Sequence, residues 1–137
     1  MEWAALVTWV VTAAFGFTML VIWLRHGGLQ KAPGGKIPPW LIFSHFALAA
    51  SGLVLWIVYV ATDTDALAWV AFIVLLFVAV LGWTMFLGLA RRRAAGGAEP
   101  AATPPERHFP LPVVLTHGAF AVTTVILVFL AALGVGS

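Results

Sequence analysis

The chain has 137 residues, of which 63% are hydrophobic and only 9% charged, with no cysteine and a formal net charge of +2. A soluble domain is usually about a quarter charged, so this composition excludes an ordinary water-soluble fold. The missing cysteine excludes disulfides, thiolate metal sites and covalent c-type haem attachment. The slight excess of base does not indicate nucleic acid, because the basic residues fall in loops between apolar segments.

In chain order, four stretches reach the roughly 20 apolar residues that a bilayer crossing needs. They lie at about 3–24, 40–61, 66–90 and 111–133. The first is expected to stay on the chain: it lacks a basic n-region, is too long for a signal h-region and runs into a charged loop. The loop from His26 to Pro39 is rich in Gly and Pro, and Pro38-Pro39 suits a helix start. The turn Thr62-Asp63-Thr64-Asp65 is tight, which predicts antiparallel neighbours for the second and third helices. A flexible linker is expected at about 94–107, from Ala94-Ala95-Gly96-Gly97 to Thr103-Pro104-Pro105 and on to Arg107. The fold expected is therefore an all-α integral membrane protein, a single up-down-up-down four-helix bundle over residues 1–137.

Orientation follows from charge. Arg25, Lys31 and Lys36 fall in the first loop, and Arg91, Arg92, Arg93 and Arg107 in the third. The second loop carries Asp63 and Asp65, and the N-terminus Glu2. The positive-inside rule predicts a plasma (inner) membrane protein with basic loops in the cytoplasm and both termini outside. Trp3, Trp40 and Trp69 sit near span ends, where indoles favour the interface.

The chain also repeats itself. Gly16-Phe17-Thr18-Met19 returns as Gly82-Trp83-Thr84-Met85, an offset of 82 − 16 = 66 residues. Arg25 and Arg91 follow at the same offset. Ser44-His45 returns as Thr116-His117, where 117 − 45 = 72, the longer last loop taking up the difference. The unit is a two-helix hairpin, about 3–61 and 66–133, used twice in one orientation. Such parallel repeats are related by an axis along the membrane normal.

Polar groups inside a span are costly and usually face the bundle interior. His45 and His117 each lie seven residues past a proline, Pro38 or Pro110, roughly 10 Å into the membrane at 1.5 Å per residue. Their helices are expected to lie diagonally across the core, so the imidazoles can oppose one another. Ala49 and Gly52, and in the second copy Ala121 and Thr124, stand at His+4 and His+7 and are expected to leave room beside each ring. Gly16 and Gly82 let a broad planar ligand approach the backbone. Met19 and Met85 lie near histidine depth and would pack against such a ligand; with the histidines they also form a set that suits copper, since thioethers favour Cu(I). Taken singly, either histidine reads as helix glue, hydrogen-bonded to a neighbouring carbonyl or hydroxyl. His26 and His108, beside Arg25 and Arg107, are expected to be solvated.

With these residues the chain resembles b-type membrane cytochromes, as architecture across all four spans. The resemblance implies His45 and His117 as axial ligands of one haem b, with Gly16 and Gly82 packed against it. Many such proteins carry two histidines on each ligand helix and hold two haems; this chain has one per helix. The haem propionates would then turn towards the basic loops and pair with Arg25, Lys36, Arg91 and Arg107. The expected role is electron transfer on the cytoplasmic side, with quinone or the subunits of a redox complex as partners and a homodimer possible in the lipid bilayer. A sixth ligand closes the iron, which disfavours oxygen activation. Two alternatives stay open: a cofactor-free accessory or assembly subunit, and a protein that binds copper or a chlorophyll-type pigment. There is no Ser/His/Asp set, phosphate loop or carboxylate pair in the spans.

Overall fold

A computed structural model describes residues 1–30, 37–94 and 103–136. It is all-helical: α1 (Glu2–Arg25), α2 (Pro39–Thr62), α3 (Asp65–Ala94) and α4 (Leu111–Ala132), with a short 3-10 turn, Pro105–His108, before α4. Each of the four α-helices is long and apolar enough to cross a membrane. Pro39 at the first turn of α2 and Pro112 in that of α4 start these helices where a missing amide donor costs nothing. Asp63 ends α2 in the left-handed region (φ 54°), and its N–H bonds the carbonyl of Tyr59.

Two boundaries differ from the sequence expectation. Helix α3 runs past residue 90 to Ala94 and carries Arg91, Arg92 and Arg93 in its last turn. Cations there face the negative end of the helix dipole, which favours continuing the helix rather than opening it. The linker expected at about 94–107 is also shorter, because Pro105–His108 is ordered; its Gly-rich stretch, 95–102, lies outside the described residues, as do Lys31 and Lys36.

Charge separates to the two ends of the bundle. At one end the amino group of Met1 donates to the carbonyl of Gly136 (3.1 Å), close to Glu2 and the Asp63–Asp65 turn. At the other, Glu106 accepts from the amide of Ile37 (2.9 Å) and from Arg92, while Arg93 bonds the carbonyl of Phe109 (2.8 Å). We call these the terminal end and the basic end.

The strongest packing crosses the sequence repeat. Helix α1 lies mainly against α4, and α2 mainly against α3; the α1–α2 and α3–α4 contacts are lighter. The repeat unit is therefore the hairpin, but the tightly packed unit is a pair of helices from different repeats. Burial still follows the repeat. At the 66-residue offset, Ala5, Trp9 and Trp23 match Ala71, Leu75 and Leu89, all buried. At the 72-residue offset, Gly52, Trp56 and Tyr59 match Thr124, Val128 and Ala131, again all buried.

Burial is uneven along the bundle axis. The main core, around Trp9, Trp56, Tyr59, Leu75 and Val128, fills the terminal half. A few residues near the basic end, including Trp23, Leu41, Leu89 and Val114, are buried as well. Between these layers, residues 10–22, 42–51, 79–88 and 115–123 include no buried residue on any of the four helices. In this middle band every residue of the four helices is half-buried or exposed.

Candidate functional site

The middle band holds both histidines, both repeat glycines and both repeat methionines. His45, on α2, sets its Nδ1 3.0 Å from the carbonyl oxygen of Val78 on α3. His117, on α4, sets its Nδ1 2.9 Å from the carbonyl oxygen of Thr12 on α1. Thr12 and Val78 stand at the 66-residue offset, so the two hydrogen bonds are copies of one another.

The glycines explain why those carbonyls are reachable. Helical side chains lean toward the N-terminus and cover the turn before their own Cα. Gly16 and Gly82 each follow an acceptor by four residues and leave its carbonyl bare. A Cβ on Gly16 would stand 3.0 Å from Cε1 of His117, and one on Gly82 3.0 Å from Cε1 of His45. Each histidine thus rests on the glycine of the opposite repeat, so the place at Gly16 and Gly82 expected to admit a planar ligand is taken by an imidazole.

These contacts fix the chemistry of the rings. A ring nitrogen facing a carbonyl must carry the proton and donate it. In the neutral ring the lone pair is then on Nε2, and neither Nε2 has a hydrogen-bond partner among the described residues. An Nδ1–H held by a backbone carbonyl is the usual outer support of a metal-bound histidine. The glue role and the ligand role therefore use different nitrogens and do not compete.

One histidine belongs to each tight helix pair, and the ring centres lie 6.3 Å apart, tilted by 58°. Two metal–imidazole bonds of about 2 Å, plus two ring half-widths of about 1 Å, span roughly 6 Å, so one metal between the rings fits this spacing. Among the described residues no group of three His, Cys, Asp or Glu could hold a metal ion. A two-nitrogen set falls short of the three or four ligands that zinc needs.

The other expected site residues divide. Met19 and Met85 are half-buried, one turn from the glycines, inside the band. Ala49 and Ala121 are half-buried as well. Gly52 and Thr124 serve elsewhere: a Cβ on Gly52 would stand 3.0 Å from Trp9 and 3.3 Å from Val74, and the hydroxyl of Thr124 bonds the carbonyl of Phe120. The room expected beside the imidazole at Gly52 is taken by the Trp9 indole. Arg25 and Arg91 are exposed at the basic end, while it is Arg92 that pairs with Glu106. His26 and His108 are exposed as expected, yet they stack on one another with ring centres 3.8 Å apart.

Sequence reasoning missed the two carbonyl acceptors and Glu106. The acceptors had a signal, since a glycine on a helix exposes the carbonyl one turn back. Glu106 had only its isolation among bases; it is buried, and its Oε2 has no hydrogen-bond partner. No protein-family model matches the chain, and neither does any curated protein or solved structure.

Proposed function

We propose that this chain is a membrane b-type cytochrome-like protein that holds one haem b between its two tight helix pairs. His45 and His117 are the axial ligands, and electrons pass on the side of the basic loops. The bundle crosses up-down-up-down with both termini outside. The observation that carries this reading is the mirrored anchoring of the two imidazoles through Nδ1, which leaves both Nε2 atoms without a hydrogen-bond partner among the described residues. Haem b supplies a one-electron couple when bound. His45 and His117 would hold the metal, each ring fixed through the carbonyl of Val78 or Thr12, and would leave no open position for oxygen. Gly16 and Gly82 keep those rings in place. With one centre nearer the basic end, exchange is with a quinone in that leaflet, with a cytoplasmic donor, or within a larger complex.

The test is the optical spectrum of the detergent-purified protein, oxidised and then reduced with dithionite. A sharp Soret band with resolved α and β bands on reduction is expected for low-spin haem b. His45→Ala and His117→Ala should each abolish it. A protein that stays colourless after haem is added, or two variants that both keep a full Soret band, would overturn the assignment. A colourless protein that takes up Cu(I) would transfer the site to His45, His117, Met19 and Met85.

A further inference from the structure

The four α-helices carry ten serine and threonine residues. Eight of these hydroxyls bond a carbonyl of their own helix three or four residues back: Thr8, Thr12, Thr18, Ser51, Thr62, Thr84, Thr123 and Thr124. This is the default for a hydroxyl in an apolar helix, where an unpaired polar group costs several kcal/mol. Ser44 and Thr116 are the two that do not, and no hydrogen bond to either occurs among the described residues. They are equivalent at the 72-residue offset, each stands directly before an axial histidine candidate, and each is half-buried in the middle band.

Their position has a direction. Helices α2 and α4 both begin at the basic end, so Ser44 and Thr116 lie one residue, about 1.5 Å, closer to that end than the histidines. Side chains lean toward the helix N-terminus, which carries both hydroxyls further that way. A b-type tetrapyrrole has two carboxylate arms on one edge. A twofold axis in its plane, through that edge, exchanges the two arms and the two faces together. The repeat axis of this protein exchanges the two histidines and the two hydroxyls in the same manner.

We infer that Ser44 and Thr116 are the hydrogen-bond donors for the two carboxylate arms, one hydroxyl to each arm, and that they fix the carboxylate edge toward the basic end. This rests on the haem reading. Arg25 and Arg91 then act from further out, as charges rather than as contacts. The two hydroxyls are binding and positioning residues; they leave the metal bonds to His45 and His117.

The experiment compares two ligands against two proteins. Haem b and its dimethyl ester, in which both carboxylates are neutralised, are titrated into the cofactor-free wild type and into Ser44→Ala/Thr116→Val. A hydrogen bond to a charged group is worth about tenfold in affinity, so the double variant should lose roughly a hundredfold for haem b. For the diester, variant and wild type should bind alike. Ser44→Thr and Thr116→Ser should retain wild-type affinity, and the propionate bending bands in resonance Raman should shift only in the variant that lacks both hydroxyls. An equal loss for both ligands would show a packing effect and overturn the inference, as would an unchanged affinity for haem b. If the wild type binds neither ligand, the haem reading itself has failed and this assignment falls with it.

Discussion

Four helical glycines provide a comparison that isolates the contact between ring and backbone. Gly16 and Gly82 lie under imidazoles, whereas a Cβ on Gly88 or Gly118 would meet nothing within 4 Å. The backbone benefit of Gly→Ala, up to about 1 kcal/mol, is common to all four and cancels in the comparison. The contact does not cancel. The new Cβ of Gly82→Ala would stand 3.0 Å from Cε1 of His45. An ordinary carbon contact is about 3.5–4.0 Å, so the ring must retreat by roughly 0.5 Å. Cε1 and Nδ1 are bonded, so the retreat also stretches the 3.0 Å bond to Val78 to about 3.5 Å, out of hydrogen-bond range. The loss is about 0.6–1 kcal/mol. Gly82→Ala and Gly16→Ala should therefore be less stable than Gly88→Ala and Gly118→Ala by about that amount, read from reversible unfolding in mixed detergent micelles. The ¹⁵N spectrum of the histidine rings gives a second readout: the Nδ1–H signal should shift in the first pair of variants and stay in the second. Equal stability across all four alanines, with unmoved ring signals, would refute the argument.

Other perturbations have equally definite signs. A Cβ on Gly28 would run into the buried Trp23 ring, so Gly28→Ala should lower stability by about 1–3 kcal/mol in the same unfolding assay. Glu106→Ala removes the acceptor of both Ile37 and Arg92 and should cost about 3 kcal/mol, the lower end for a broken buried pair because Arg92 is partly solvated. Glu106→Gln keeps an acceptor for Ile37 and should cost clearly less; equal losses would show that the charge, and not the hydrogen bond, holds the basic end together. Retention of a full Soret band by either single histidine variant would count against a shared metal.

Much of this architecture was legible because apolar length and the duplicated motif are properties of sequence alone. The helices fall within a few residues of the expected spans, and the 66- and 72-residue offsets reappear as matched burial and matched hydrogen bonds. What the sequence could not give is which helices pair tightly. A repeat announces the hairpin as its unit, yet the contacts place α1 on α4 and α2 on α3. That choice depends on side-chain shape across helices, and it is what seats each histidine on the glycine of the other repeat. Glu106 was illegible for a related reason: a lone acid in a basic loop carries no periodicity, and its burial comes from the meeting of Ile37, Arg92 and the 3-10 turn.

Where the two repeats differ, the difference is compensated, and this too can be tested. Trp9 of the first repeat corresponds to Leu75 of the second, and Gly52 corresponds to Thr124. The larger residue of one pair meets the smaller: a Cβ on Gly52 would touch the Trp9 indole at 3.0 Å, so the indole has taken the volume that a side chain would occupy. Gly52→Thr alone overfills this layer and should cost about 1–3 kcal/mol. Trp9→Leu alone opens a cavity and, as a large-to-small change at a buried site, should cost about 3 kcal/mol. The double variant places at positions 9 and 52 the residues that stand at the equivalent positions of the second repeat, and its cost should fall below the sum of the singles by about 1–3 kcal/mol, the coupling expected for residues in contact. Additive costs would mean that the two layers are filled independently, and that the matched burial of the repeats does not reflect a shared packing solution.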